Sequence, residues 1–240
     1  MMQIKNEKGL FIAEYSMIGA QHVNNGKGNQ DSLRSGQLGD NVIFCAVADG
    51  VSSAKYANVG SLQAVQTIEK ISEEIALGEL DFHDYKKLQS TVVRYWKDSF
   101  KSDWNEYATT LNFLIFVNPY LILGQIGDGL ICVNIDGTDS VLTSTEEFYT
   151  TETAALSEVV YRKDFVIQIY PVKSTFSVAI MTDGIGKEIP AEARTPLEKY
   201  LNNLSRDAVR FETELIPWVK GLEGKNGDDK SIIYVRWEEM

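Results

Sequence analysis

Three apolar segments of this chain end in the same dipeptide, and no other feature restricts its fold as tightly. Cys45-Ala46-Val47-Ala48 runs into Asp49-Gly50, Leu123-Gly124-Gln125-Ile126-Gly127 into Asp128-Gly129, and Val178-Ala179-Ile180-Met181-Thr182 into Asp183-Gly184. Asp-Gly between two strands is a strong hairpin signal. That reading suits Asp136-Gly137, which lies between Ile135 and Thr138. It weakens at Asp49 and Asp183, because no returning strand follows: Val51-Ser52-Ser53-Ala54 leads into a helical pattern, and Ile185-Gly186-Lys187-Glu188 moves toward another. Asp128-Gly129 stays open between the two readings, since Leu130 to Ile135 could be the second arm of a hairpin.

The segments before these dipeptides are continuous apolar runs of strand length. Strands are expected at Phe11 to Ile18, Val42 to Ala48, Leu111 to Val117, Tyr120 to Ile126, Leu130 to Ile135, Phe165 to Tyr170, Phe176 to Met181 and Ser231 to Trp237. Runs this rich in β-branched and aromatic residues suit strands covered on both faces. Helical stripes recur at Leu62, Val65, Ile68, Ile71 and Ile75, at Tyr85, Leu88, Val92, Tyr95 or Trp96 and Phe100, and at Leu201, Leu204, Ala208, Phe211, Leu215 and Trp218. These stripes are read as core faces. Thr195-Pro196-Leu197-Glu198 predicts a helix start, and Pro217 predicts its end or a kink. Strands outnumber helices, and the pattern is α+β: a mostly antiparallel sheet with helices on the outer faces. No linker or repeat divides the chain, so residues 1–240 are expected to form one domain.

Two further acidic positions follow the logic of the strand ends. Asp31 closes Asn29-Gln30-Asp31, and Asp228 opens Asp228-Asp229-Lys230-Ser231 before the last strand. Carboxylates gathered at one sheet edge repel one another, and a cation relieves that repulsion. Aspartates without His or Cys favour hard ions with oxygen ligands, magnesium or manganese. Two such ions can activate a water and hold a phosphoryl oxygen.

Composition narrows the classes. The sum of 23 Lys+Arg and 34 Asp+Glu is −11, which argues against a nucleic-acid or anionic-membrane partner. The longest uninterrupted apolar run, Val42 to Ala48, is far shorter than the roughly 18 residues of a membrane span. Glu14 interrupts the apolar stretch after Lys5 and Lys8, a poor signal peptide. Cys45 and Cys132 sit in apolar runs and read as buried thiols in a reducing, cytoplasmic compartment. No phosphate loop of the Gly-x4-Gly-Lys-Ser/Thr type and no Gly-x-Ser-x-Gly turn occurs.

Asn29-Gln30-Asp31, Val47-Ala48-Asp49-Gly50-Val51, Gly127-Asp128-Gly129, Met181-Thr182-Asp183-Gly184-Ile185 and Asp228-Asp229-Lys230-Ser231, in this order, resemble the motifs of the metal-dependent protein phosphatase family, type 2C or PPM. The resemblance spans Gly19 to Val235, and Glu146 to Leu156 resembles the short flap of compact bacterial-type members. It implies a four-layer α-β-β-α sandwich of two mainly antiparallel sheets. It implies hydrolysis of Ser/Thr phosphoproteins with two or three Mn2+ or Mg2+ ions, a metal-bridged water attacking the phosphate ester with no covalent intermediate. By the same resemblance Asp49 bridges two metals, the Gly50 carbonyl binds one, Asp183 and Asp228 bind the other, Asp31 supports the metal waters, and Asp128 with Asp183 holds a third. The implied partner is a phosphorylated protein, a target of a Ser/Thr kinase, met by a monomeric signalling enzyme.

The chain departs from the family pattern at three places. Gln30 stands where many members have Glu. His22, in Gly19-Ala20-Gln21-His22, stands in place of the phosphate-binding Arg and is a candidate for substrate phosphate binding. A histidine is a weaker, pH-dependent anion clamp. Val51 replaces a histidine of some members. Two other readings compete with the phosphoprotein phosphatase: a pseudophosphatase kept as a binding module, and a hydrolase of small phosphate esters. Retention of all five motif aspartates favours an active enzyme.

Overall fold

The computed structural model describes residues 2–7, 9–101, 103–142, 154–222 and 226–239. Eleven strands form among them: β1 (Gln3–Glu7), β2 (Leu10–Met17), β3 (Asp31–Leu38), β4 (Val42–Asp49), β5 (Leu111–Val117), β6 (Tyr120–Ile126), β7 (Leu130–Ile135), β8 (Thr138–Leu142), β9 (Phe165–Pro171), β10 (Thr175–Met181) and β11 (Lys230–Glu238). They make two sheets, β1-β2-β11-β10-β7-β8 and β3-β4-β5-β6-β9, in which every pairing is antiparallel.

The apolar runs are explained by layering. Ile43, Cys45 and Val47 of β4 and Leu114 and Phe116 of β5 meet Ile131, Val133, Phe176, Val178, Ile180, Ile233 and Val235 of the other sheet. The opposite face of β4, with Phe44, Ala46 and Ala48, packs under α2 (Ala57–Ala76) and α3 (Tyr85–Asp98). The outer face of the first sheet carries α5 (Ala191–Leu204) and α6 (Ala208–Gly221), packed through Leu201, Leu204, Phe211 and Leu215 onto Phe11, Ala179 and Tyr234. Central strands are thus apolar on both faces, and the fold is the four-layer sandwich expected. Two short helices, α1 (Ala20–Asn24) and α4 (Asp183–Gly186), lie outside these layers at the strand ends.

Two of the Asp-Gly readings resolve by topology. β6 and β7 belong to different sheets, so Asp128-Gly129 is a crossover, not a hairpin. Asp136 and Gly137, both at positive φ (49° and 85°), join β7 to β8 in a two-residue turn. That is the turn geometry whose twist matches a hairpin.

Several helix expectations are corrected. α5 begins at Ala191, so Pro196 lies inside the helix. The third stripe is two helices, because the Asp207 side chain accepts from the backbone N–H of Val209 and Arg210 and starts α6 anew. Pro217 lies within α6, which continues to Gly221. Leu62 and Tyr85 point to solvent, and Ser61 and Ala64 take the inward positions of α2 near its start. The flap segment from Glu146 to Thr153 lies outside the described residues. Within its end, Leu156 bridges Thr109.

The inter-sheet layer should dominate stability. Phe176 is fully buried, with its ring 4.8 Å from that of Phe116 and stacked on Trp237. Phe176→Ala is expected to cost about 3–5 kcal/mol, and Val209→Ala, at a 72%-exposed position of α6, less than about 0.5 kcal/mol. Urea unfolding of both variants measures the contrast.

Candidate metal centre

The sandwich gathers the acidic strand ends at one rim. Asp31 opens β3 and Asp49 closes β4, and the two are register partners. In the other sheet Met181 pairs with both Ile232 and Leu130. Asp183, Asp228 and Asp128 therefore leave that sheet at the same end. Four carboxyl groups, those of Asp31, Asp49, Asp183 and Asp228, come close enough to perturb one another.

The perturbation has a clear cause. Burial, reinforced by the charges of Asp31, Asp183 and Asp228, pushes the Asp49 carboxyl from its ordinary 3.8 up to about 11. Burial raises Asp31 to about 7, with Asp229 and Asp183 adding to it and hydrogen bonds from Ser231 and Thr182 opposing it. Asp228 is raised by burial and by Asp183. Asp31 Oδ1 and Asp183 Oδ1 are buried with no hydrogen-bond partner.

These orphaned oxygens and raised carboxyls are the chemistry of an anionic oxygen cage suited to a cation. The donor set fits a hard divalent ion. Among the described residues no three His, Cys, Asp or Glu side chains already stand as a complete ligand set. Part of the negative charge is met by Lys187.

Lys187 is a residue that sequence reasoning passed over. Its Nζ lies 2.7 Å from Asp128 Oδ2 and 2.5 Å from Asp183 Oδ2. It follows α4, and its own N–H donates to the Asp183 carbonyl at 2.9 Å. Burial draws its ammonium down, but hydrogen bonds to both aspartates carry it above the usual lysine range. Asp128 and Asp183, the pair that the resemblance assigns to a third ion, are thus bridged by an ammonium.

Backbone and hydroxyl groups fix the aspartates. Thr110 Oγ1 accepts from Asp49 N–H, and Thr110 N–H and the Thr109 hydroxyl both donate to the Asp49 carbonyl. The Thr182 hydroxyl donates to Asp31 Oδ2 at 2.9 Å and accepts from Ser231 N–H, tying one sheet to the other. Gly50 N–H donates to the Gln30 carbonyl, and a Cβ on Gly50 would stand 2.5 Å from the Ala57 carbonyl oxygen. Gly184 is tighter still, 1.9 Å from the Asp229 carbonyl oxygen. Gln30 contributes its backbone to these contacts, while its buried Oε1 has no partner.

Asp228 and Asp229 divide their work. Asp229, only 1% exposed, accepts from Gly19 N–H at 2.7 Å, from Gln30 N–H at 2.6 Å and from His22 Nδ1 at 2.8 Å. It anchors the turns around the rim and leaves Asp228 for the carboxylate cluster. Lys230 is fully buried and donates to the Asp228 carbonyl, the Asn226 carbonyl and Asn226 Oδ1, which shapes the approach to β11. The motif Asp228-Asp229-Lys230-Ser231 signals all three residues, but only their tertiary partners separate the roles. His22 is buried, not a surface-loop histidine: it is 6% exposed, and its Nδ1 is engaged by Asp229.

Comparison with known proteins agrees with this architecture. A family profile described as protein phosphatase 2C matches residues 18–221. No curated protein matches the chain. The fold is similar to RsbX in complex with magnesium, at 16% identity and a TM-score of 0.68 over 99% of this chain and 100% of that one. It is similar to the serine/threonine phosphatase of S. agalactiae, at 15% identity and 0.67 over 96% and 100%. It is also similar to the catalytic domain of the serine/threonine phosphatase PstP in complex with two manganese ions, at 17% identity and 0.66 over 96% and 99%. With a family match over most of its length and the corresponding fold, the chain belongs to the protein phosphatase 2C family.

Proposed function

We propose that this protein is a Mn2+- or Mg2+-dependent phosphatase of Ser/Thr phosphoproteins, with residues 1–240 acting as one catalytic domain. The observation that carries the reading is the cluster of Asp31, Asp49, Asp183 and Asp228 at one rim, in which burial and neighbouring carboxylates raise Asp31, Asp49 and Asp228. Asp49, Asp228, Asp183 and the Gly50 carbonyl would hold the ions, and Asp31 would orient the water around them. When bound, the ions supply the charge that polarises a water and receives a phosphoryl oxygen.

The chain's own residues favour direct attack by water over a covalent enzyme intermediate. Cys45 is fully buried, and burial pushes its thiol well up. Burial raises Cys132 to about 12. Neither is a thiolate nucleophile at neutral pH. The Thr182 hydroxyl is committed to Asp31. His22 has Nδ1 occupied by Asp229, so a contact with substrate phosphate would run through Nε2. Buried free thiols suit a reducing cytoplasm, and no helix among the described residues is long and apolar enough to cross a membrane. A monomeric enzyme meeting phosphoprotein targets of a kinase completes the reading.

Two outcomes are expected. Loss of an outer partner of a metal ligand typically costs about 10–100-fold. Asp49→Asn should therefore lower Mn2+-dependent hydrolysis of an aryl phosphate by more than about 100-fold while circular dichroism stays unchanged. Near-normal turnover by the folded variant would overturn the site. Folded wild-type protein inactive with Mn2+ would favour a binding module, and turnover of small metabolites without phosphopeptides would favour the small-ester hydrolase.

The second outcome concerns pH. Without a divalent ion the folded state holds protons on Asp31 up to about 7 and on Asp49 up to about 11, against an ordinary 3.8. The folded state then binds more protons than the unfolded one, so stability falls as pH rises through this window. Thermal unfolding in chelator should shift to lower temperature between about pH 5 and about pH 8. Mn2+, which replaces the protons, should remove most of that fall. A midpoint equally flat with chelator and with Mn2+ would count against a cation at the cluster.

A further inference from the structure

Positive charge already stands inside this acidic rim. The Lys187 ammonium contacts Asp128 Oδ2 and Asp183 Oδ2 together, at 2.7 and 2.5 Å. The lysine is four residues from Asp183 across the turn of α4, so its stem starts beside the carboxylate that it binds. Asp128 comes from the crossover between the two sheets, a separate element. The ammonium therefore joins two parts of the rim that nothing in the local sequence would join.

Its contacts take one oxygen of Asp183 and leave the other. Oδ2 faces Lys187, and Oδ1 is buried with no hydrogen-bond partner. A tethered ammonium is an intramolecular competitor: its effective concentration at the two carboxylates is high, and a free ion must displace it from both. A divalent ion gains more from two carboxylates than a single ammonium does, but it must also shed part of its hydration shell. At the end of the cluster near Asp49 and Asp228 the Lys230 ammonium donates to the Asp228 backbone carbonyl, the Asn226 carbonyl and Asn226 Oδ1 rather than bridging two carboxylates.

Resting on the metal-dependent reading above, we propose that Lys187 is a built-in cation that closes the Asp128–Asp183 end of the cluster. It confines divalent ions to the end formed by Asp49, Asp228 and Asp183 Oδ1. The lysine sets how many ions the protein takes up. Lys187 is a positioning residue in this scheme, because it acts through the two aspartates.

The readout is Mn2+ stoichiometry, by equilibrium dialysis and native mass spectrometry of the full chain. The lysine side chain is 56% exposed, so replacing it opens no buried void. Lys187→Met should bind one more Mn2+ per chain than wild type at the same free Mn2+. Adding Asp128→Asn to that variant should remove the extra ion. Lys187→Arg, which keeps the charge, should retain the wild-type count. If wild type binds Mn2+ and Lys187→Met binds the same number with the same affinity, the lysine does not set the count and the inference fails alone. If neither wild type nor Lys187→Met binds Mn2+, the metal-dependent reading fails and takes this inference with it.

Discussion

Mutual repulsion among aspartates at one rim is the constraint on which the rest of this structure depends. Asp31, Asp49, Asp183 and Asp228 leave two different sheets at a common end, where burial and neighbouring carboxylates disfavour ionisation of Asp31, Asp49 and Asp228. A fold tolerates such a cluster only if the rest of it is stable enough to hold the carboxylates in place. The three apolar layers do this. Strands carrying Val47, Phe116, Val178 and Val235 pack against each other, and helices cover both outer faces. The polar chemistry is displaced to the strand ends, where no side chain need cross the core.

Holding the sheets in register at that rim falls to groups that are not themselves in the cluster. Thr182 links Asp31 to Ser231 across the sandwich. Asp229 receives three donors from the segments around Gly19, His22 and Gln30. Both are buried, and a buried charge-assisted hydrogen bond is costly to leave unmade. Gly50 and Gly184 let backbone approach backbone where a Cβ would collide with a carbonyl oxygen. The cluster is thus framed by directional contacts made to the neighbours of the aspartates, while buried oxygens of Asp31 and Asp183 remain unpartnered.

Legibility in the sequence follows burial. All eight strands expected from apolar runs are present, because strands covered on both faces must be apolar throughout. The strands that escaped, β1, β3 and β8, are edge strands of their sheets. Their sequences Gln-Ile-Lys-Asn-Glu, Asp-Ser-Leu-Arg-Ser-Gly-Gln-Leu and Thr-Asp-Ser-Val-Leu carry polar residues that blunt an exposed edge. The same polarity that protects an edge hides it from a hydrophobic pattern. Asp49, Asp128, Asp183 and Asp228 were legible because each stands at the end or the start of an expected strand, and Asp31 because it closes Asn29-Gln30-Asp31. Lys187 was not, since an exposed lysine beside a short helix has no signal until the crossover brings Asp128 to it. The division of work between Asp228 and Asp229 was equally invisible, because adjacent aspartates differ only in what surrounds them. His22 shows what matching by position leaves out: its place in the motif suggested a phosphate contact, and only the fold shows that its Nδ1 is engaged by Asp229.

The sign of the site also bears on what can enter it. A chain of net charge −11 with four carboxyl groups at one rim repels a phosphate ester, itself anionic. Lys187 offsets part of this charge but lies at the Asp128 end. An ion between the aspartates would reverse the local field, and the repulsion among the carboxylates would become their affinity for the ion. Burial strengthens both effects, because screening by water and salt is weakest there. A cluster too exposed would bind ions weakly, and one without the surrounding layers would spread its carboxylates apart. The apolar sandwich and the acidic rim therefore form one device: the first supplies the rigidity that holds the carboxylates of the second together.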